Sequence, residues 1–261
     1  MTNKLANALR KGADEGEKAF IPYIMAGDGG LDQLLSRINR LEKAGAAAIE
    51  LGIPFSDPVA DGPVIQRAGL RSLKQGVTLK KIFSTLHEIQ DQITIPIIFM
   101  SYLNSIMAYG FEQFARDCVK SGVSGCIVPD LPFEEEGILR PVLKESGIVL
   151  IRLVTLTSPK ERLKKIIKDA EGFIYAVTVK GTTGTRESFE EEVGVYLQEV
   201  KALSSVPVLA GFGISTPEHV KQASSYCDGV IVGSKIIDLF EEEKYEEMEE
   251  LISSAKTAGI R

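Results

Sequence analysis

The chain has 261 residues, a net charge of −6, 44% apolar and 25% charged residues, an ordinary globular composition. Its acid excess gathers near the end, which disfavours a nucleic-acid partner, and apolar runs such as IPIIFM are far too short to cross a bilayer. The start, MTNKLANALRKGADEGEK, has no apolar signal core, so a cytoplasmic protein is expected. Cys118, Cys126 and Cys227 form no Cys-x-x-Cys pair, and His87 and His219 lie in polar helical stretches. Neither a metal cage nor a disulfide framework is suggested, and reduced structural thiols are expected.

In chain order, a helix is expected over residues 2–11. Short apolar runs rich in Ile and Val then recur: FIPYIMAG (20–27), AAIELGI (47–53), PIIFMSY (96–102), GCIVPD (125–130), IVLIRLVT (148–155), GFIYAVT (172–178), PVLAGFG (207–213) and DGVIVGS (228–234). Each reads as a strand. Helical spacing fills the intervals, as in 31–45, where Leu31, Leu34, Leu35, Ile38 and Leu41 share a face. Ser158, Ser188 and Ser215, each with a glutamate three residues on, fit helix-starting capping boxes. Gly45, Gly122 and Gly147 sit where helices should stop. One amphipathic helix is expected at the end, its acid run forming a solvated face. No Pro, Gly or Ser tract marks a linker, and eight strands alternating with helices over this length predict one (β/α)8 barrel domain spanning 1–261, with the first helix capping the bottom. An open doubly wound sheet lacks support, because no Gly-x-Gly-x-x-Gly follows the first strand.

In such a barrel, chemistry sits at the C-terminal strand ends and the loops after them. Glu50 falls near the end of the second strand. Ile49 and Leu51 share the opposite face, so Glu50 points into the mouth, where partial desolvation raises its pKa and suits it to proton transfer. A glutamate ion-paired to a neighbouring strand is the plain alternative. Asp61 lies in a loop stiffened by Pro54, Pro58 and Pro63. It is either a fixed anion able to stabilise positive charge or simply part of an Asp-Gly turn. Glycines gather after the last three strands, at Gly181 and Gly184, Gly211 and Gly213, and Gly233 before Ser234. Such loops frequently cradle a phosphate, and tight turns without a ligand are the alternative. Lys180, a candidate Schiff-base lysine, falls on the outward parity if Tyr175 points inward.

The stretch ELGIPFSDPVADGP (50–63), Val128-Pro-Asp-Leu-Pro132, Gly181 with Thr183-Gly184, and Gly211-Phe-Gly-Ile214 followed by Gly233-Ser234 resemble the tryptophan synthase alpha chain family. The resemblance runs from about Phe20 to about Ser234. It implies a (β/α)8 barrel and a lyase that splits indole-3-glycerol phosphate into indole and glyceraldehyde 3-phosphate in tryptophan biosynthesis, with no cofactor or metal of its own. It further implies Glu50 as acid/base, Asp61 as acceptor for the indole N–H, and Tyr175 beside them. Tyr23, Met100, Thr183 and Phe212 would line the indole and glycerol site, and Gly184, Gly213, Gly233 and Ser234 would hold the phosphate. A pyridoxal-phosphate beta chain is the implied partner, in an α2β2 complex, facing Asp57, Pro58, Asn104 and Pro132. The chain departs from the family's pattern at Val179–Gly184, Gly29 and Ser105, all on lid and interface loops. A free-standing lyase of the same chemistry, a Schiff-base aldolase using Lys180 and a non-catalytic phosphate-metabolite-binding subunit are the competing readings.

Overall fold

The computed structural model describes residues 3–178, 186–211 and 213–257, of which 186–190 and 257 in backbone only. The strands are β1 (Ala19–Met25), β2 (Ile49–Gly52), β3 (Ile97–Met100), β4 (Val123–Ile127), β5 (Val149–Thr155), β6 (Ile174–Val177), β7 (Val208–Gly211) and β8 (Gly229–Val232). They pair in parallel in sequence order, and β8 returns to β1 to close the barrel. The helices are α1 (Lys4–Asp14), α2 (Leu34–Ala44), α3 (Pro63–Lys74), α4 (Leu79–Ile89), α5 (Leu103–Tyr109), α6 (Phe111–Lys120), α7 (Arg140–Glu145), α8 (Lys160–Ile167), α9 (Arg186–Leu203), α10 (Pro217–Tyr226), α11 (Ser234–Glu241) and α12 (Tyr245–Thr257). Every apolar run picked from the sequence contains or overlaps its strand, and β4 begins two residues before its run.

These strands are buried on both faces, which is why they read as continuous apolar runs rather than as alternations. The pleat sorts their side chains. Ile49, Leu51, Ile97, Phe99, Val230 and Val232 pack against the helical layer. Ile21, Ile98, Ile151, Leu209 and Ile231 fill the barrel interior together with Tyr23 and Tyr175. Burying each large aliphatic or aromatic side chain stabilises the fold by about 1.5–3 kcal/mol.

At the bottom of the barrel, α1 acts as a plug. Asn3 caps it, its Oδ1 accepting from the Leu5 N–H at 2.8 Å. Its Nδ2 reaches across to donate to the carbonyls of Ser124 at 2.9 Å and Gly147 at 2.8 Å. Leu5 and Leu9 project into the interior cluster. Leu5 sits so close beneath the strands that a Cβ on Gly125 or Gly172 would lie 3.4 Å from its Cδ2.

Three helix starts differ from expectation. At α8 the cap position is Pro159, without a side-chain bond, and Ser158 instead pairs its hydroxyl with Thr155 at 3.0 Å. At α10 the cap is Thr216, which accepts from the His219 N–H, one residue after the predicted Ser215. Ser188 lies within α9 rather than ahead of it. The final helix is two, α11 and α12, broken where Glu243 takes a left-handed φ of 55°. Gly45, Gly122 and Gly147 do adopt positive φ just past their helices, as stop signals require.

Candidate active site

Glu50 is the only interior carboxylate on β2, in register with Tyr23 of β1 and Ile98 of β3. It is 1% exposed, and its Oε2 has no hydrogen-bond partner among the described residues. The alternative of an ion-paired glutamate is therefore not what these residues form. Burial pushes its pKa up from 4.5 to about 8, and the negative charge of Asp61 adds to the rise. At neutral pH the group is mostly protonated, which is how a carboxyl tolerates an apolar site.

Asp61 reaches the same mouth from the loop between β2 and α3. Its N–H donates to the Pro58 carbonyl at 3.1 Å, and Gln66 Nε2 donates to its carbonyl at 2.8 Å. Gly62 has an ordinary φ of −75° and forms the N-cap of α3, with Pro63 as first residue. The Asp-Gly pair thus makes no left-handed turn, although the Asp61 N–H closes a turn that starts at Pro58. Burial raises the Asp61 pKa to about 6, against a hydrogen bond from the Tyr102 hydroxyl that lowers it. Two carboxyls with pKa values pushed apart can divide the roles of acid and anion.

Tyr102 is a site residue the sequence did not single out. The run 96–102 read as strand to its end, whereas β3 stops at Met100 and Tyr102 turns into the mouth. A tyrosine two residues beyond a barrel strand was the available signal. Tyr175 of β6 points inward, 6% exposed, within the electrostatic reach of Glu50 and Asp61. Tyr23 is 3% exposed and feels Asp61, Glu50, Tyr102 and Tyr175. Its hydroxyl occupies the space a side chain on Gly52 would need, so the glycine there is a notch for the ring. Met100 closes β3 in the same interior cluster.

On the far side of the mouth, Gly213 takes a φ of 77° just after β7, and Gly233 and Ser234 begin α11 directly after β8. No side chain caps α11. Its first-turn N–H groups are available to an anion. Asp57 and Pro58 lie on the loop after β2, Asn104 in the first turn of α5 after β3, and Pro132 on the loop after β4, all on the same end of the barrel. Asp57, Asn104 and Pro132 are exposed, and Pro58 is half-buried. Thr183, Gly184, Phe212 and Lys180 lie outside the described residues. Among the described residues no group of three His, Cys, Asp or Glu could hold a metal ion, and burial pushes all three cysteine thiols up. No helix among them is long and apolar enough to cross a membrane.

The tryptophan synthase alpha chain family model matches residues 9–259. The tryptophan synthase alpha chain of Bacillus cereus (strain ATCC 10987 / NRS 248) is 55% identical over 248 residues, covering 95% of this chain and 96% of its own. That of Bacillus cereus (strain G9842) is 56% identical over the same length. Among solved structures, tryptophan synthase subunit alpha from Legionella pneumophila str. Paris gives a TM-score of 0.88 at 34% identity, covering 99% of this chain and 98% of that one. The ligand-free tryptophan synthase of M. tuberculosis gives 0.87 at 29% identity, covering 98% of this chain and 100% of that one. A match running nearly end to end, with relatives more than half identical, places this chain in the tryptophan synthase alpha chain family.

Proposed function

We propose that the chain cleaves indole-3-glycerol phosphate to indole and glyceraldehyde 3-phosphate, the alpha reaction of tryptophan biosynthesis. The observation that carries the mechanism is the pair of carboxyls at one mouth, Glu50 near pKa 8 and Asp61 near 6. Protonated Glu50 gives its proton to ring carbon 3, and the ring becomes a cation. Asp61, as the anion, accepts from the indole N–H and stabilises that charge. The Glu50 carboxylate then takes the proton of the glycerol hydroxyl. As the carbonyl forms, the carbon–carbon bond breaks and its electron pair returns to the ring, and Glu50 ends protonated as it began. General acid–base help of this kind is worth about 10²–10⁴ in rate. Tyr175, Tyr23 and Met100, with Thr183 and Phe212, would enclose the ring and glycerol chain. Gly213, Gly233 and Ser234, with Gly184, would receive the phosphate at the start of α11.

The chain would work as one domain over 1–261, in the cytoplasm and without a cofactor of its own. Kinship supports a beta-chain partner, and the proposed assembly is α2β2, with pyridoxal phosphate on the beta chain. Asp57, Pro58, Asn104 and Pro132 would face that partner. Exposed apolar side chains nearby, Val59 and Met107, favour a docking surface there. Indole release from indole-3-glycerol phosphate, measured with and without a beta chain, tests both parts. Release that rises strongly on addition of the beta chain is expected. Full activity of the isolated chain would instead favour a free-standing lyase. Borohydride trapping with substrate should leave no adduct on Lys180, and an adduct would favour the Schiff-base aldolase.

A further inference from the structure

Three segments converge on Tyr102, a side chain only 3% exposed. Its ring stacks on Phe55, with centroids 5.1 Å apart and planes 24° from parallel. Its hydroxyl accepts the N–H of Ala60 at 3.0 Å, which sets it beside the Asp61 carboxyl, whose pKa it lowers as a hydrogen-bond donor. Phe55 and Ala60–Asp61 are the two ends of one loop, and the exposed Asp57 and Val59 lie on the arc between them. One side chain therefore bridges the base of the loop. Tyr102 is held firmly in turn: the Ser101 N–H donates to the Ile127 carbonyl at 3.0 Å, and the Leu103 N–H donates to Asp130 Oδ1 at 2.9 Å. Both anchors come from β4 and its following loop.

We propose that Tyr102 is a positioning residue for the lyase reaction, fixing the Asp61 carboxylate at the mouth and holding it as the anion that faces the ring nitrogen. This rests on the role proposed above for Asp61. Among the described residues, the groups facing Asp61 are Glu50 from β2, Tyr23 from β1, Tyr175 from β6 and Tyr102 from beyond β3, while Asp130 faces Tyr102 from beyond β4. None of these is a cation. Burial favours a neutral Asp61, and the donated tyrosine hydrogen bond is what opposes it. The same hydroxyl, by accepting from Ala60, ties the carboxylate's position to the loop backbone. A hydrogen bond that favours the charged form also strengthens as charge concentrates on the acceptor.

Tyr102→Phe keeps the ring on Phe55 and removes only the hydroxyl. Carbon-13 carboxyl NMR of the free chain should show the Asp61 titration midpoint moving up by about one unit. The acid limb of kcat/KM for indole release should move up with it while the basic limb stays, narrowing the bell from one side. The Ala60 amide should exchange faster with solvent. Replacing Tyr102 by 3-fluorotyrosine, a more acidic phenol of nearly the same shape, should move the midpoint the opposite way, and it carries the test if the Phe variant does not fold. A rate loss equal at every pH with an unmoved midpoint would overturn the proposal and leave Tyr102 a packing residue. If the wild-type chain with its partner releases no indole, the reaction assigned here falls, while the NMR midpoint still judges the tyrosine.

Discussion

At the lower end of the barrel, the interior between the strands is filled by Leu5 and Leu9 from α1, whereas at the upper end the same interior parity carries Tyr23, Glu50 and Tyr175. The aliphatic plug is buried at no electrostatic cost. The carboxyl is not: a pKa held near 8 rather than 4.5 corresponds to a penalty on the order of 5 kcal/mol for ionised Glu50. The two ends thus teach that one sheet can carry stability at one rim and chemistry at the other, and that the chemical rim is tolerated because the rest of the barrel is well packed.

The sharpest test of that division is Glu50→Gln. It should bind substrate yet release indole about 10²–10⁴ more slowly, in single-turnover assays with the beta chain present. Unchanged turnover would remove Glu50 from the chemistry and erase the contrast between the rims.

The same substitution should act on stability with a definite sign. The folded protein keeps the Glu50 proton up to about pH 8, while the unfolded chain releases it near 4.5. Unfolding therefore releases a proton across that window, and this group makes the wild type less stable as pH rises from about 4.5 to 8. Denaturant melts at pH 5 and pH 8.5 should show the Gln variant ahead by a few kcal/mol at the higher pH, with most of the gap gone at the lower. An equal gap at both pH values would mean that Glu50 is not the source.

At the opposite rim the effects should be reversed in kind. Leu5→Ala opens a cavity beneath the strands and should cost about 2–5 kcal/mol in denaturant melts. The kcat of the folded fraction should stay the same. A comparable loss of kcat would show that the two ends are coupled. The smallest expected effect is Asn3→Ala, which removes the cap of α1 and its two cross-barrel bonds, at about 1–2 kcal/mol, read as a lowered thermal midpoint.

The fold was legible because two-sided burial leaves a simple mark, a short aliphatic run, and all eight runs carry one. Glu50 was legible for the same reason, as a charge at a place where parity demanded an inward side chain. Boundaries that depend on a single hydrogen bond were not. Ser215 and Thr216 are equally good caps on paper, and only backbone geometry assigns the bond to Thr216. The break at Glu243 needs a left-handed residue that no glycine announces. Tyr102 escaped because its role depends on Phe55 and Ala60, which come near it only when the loop after β2 folds back over β3.

The pairing of β8 with β1, from Ala19 beside Gly229 to Pro22 beside Val232, leaves the sheet without a free edge. Closure is tight there, since a side chain at Gly229 would strike the Ala19 carbonyl. A sheet with no open border offers no template for strand addition, either by an aggregating copy or by a binding protein. Whatever docks on this molecule must grip its loops and helices. The loops after β2, β3 and β4 can therefore change to suit a partner without loosening the ring that holds Glu50 in place.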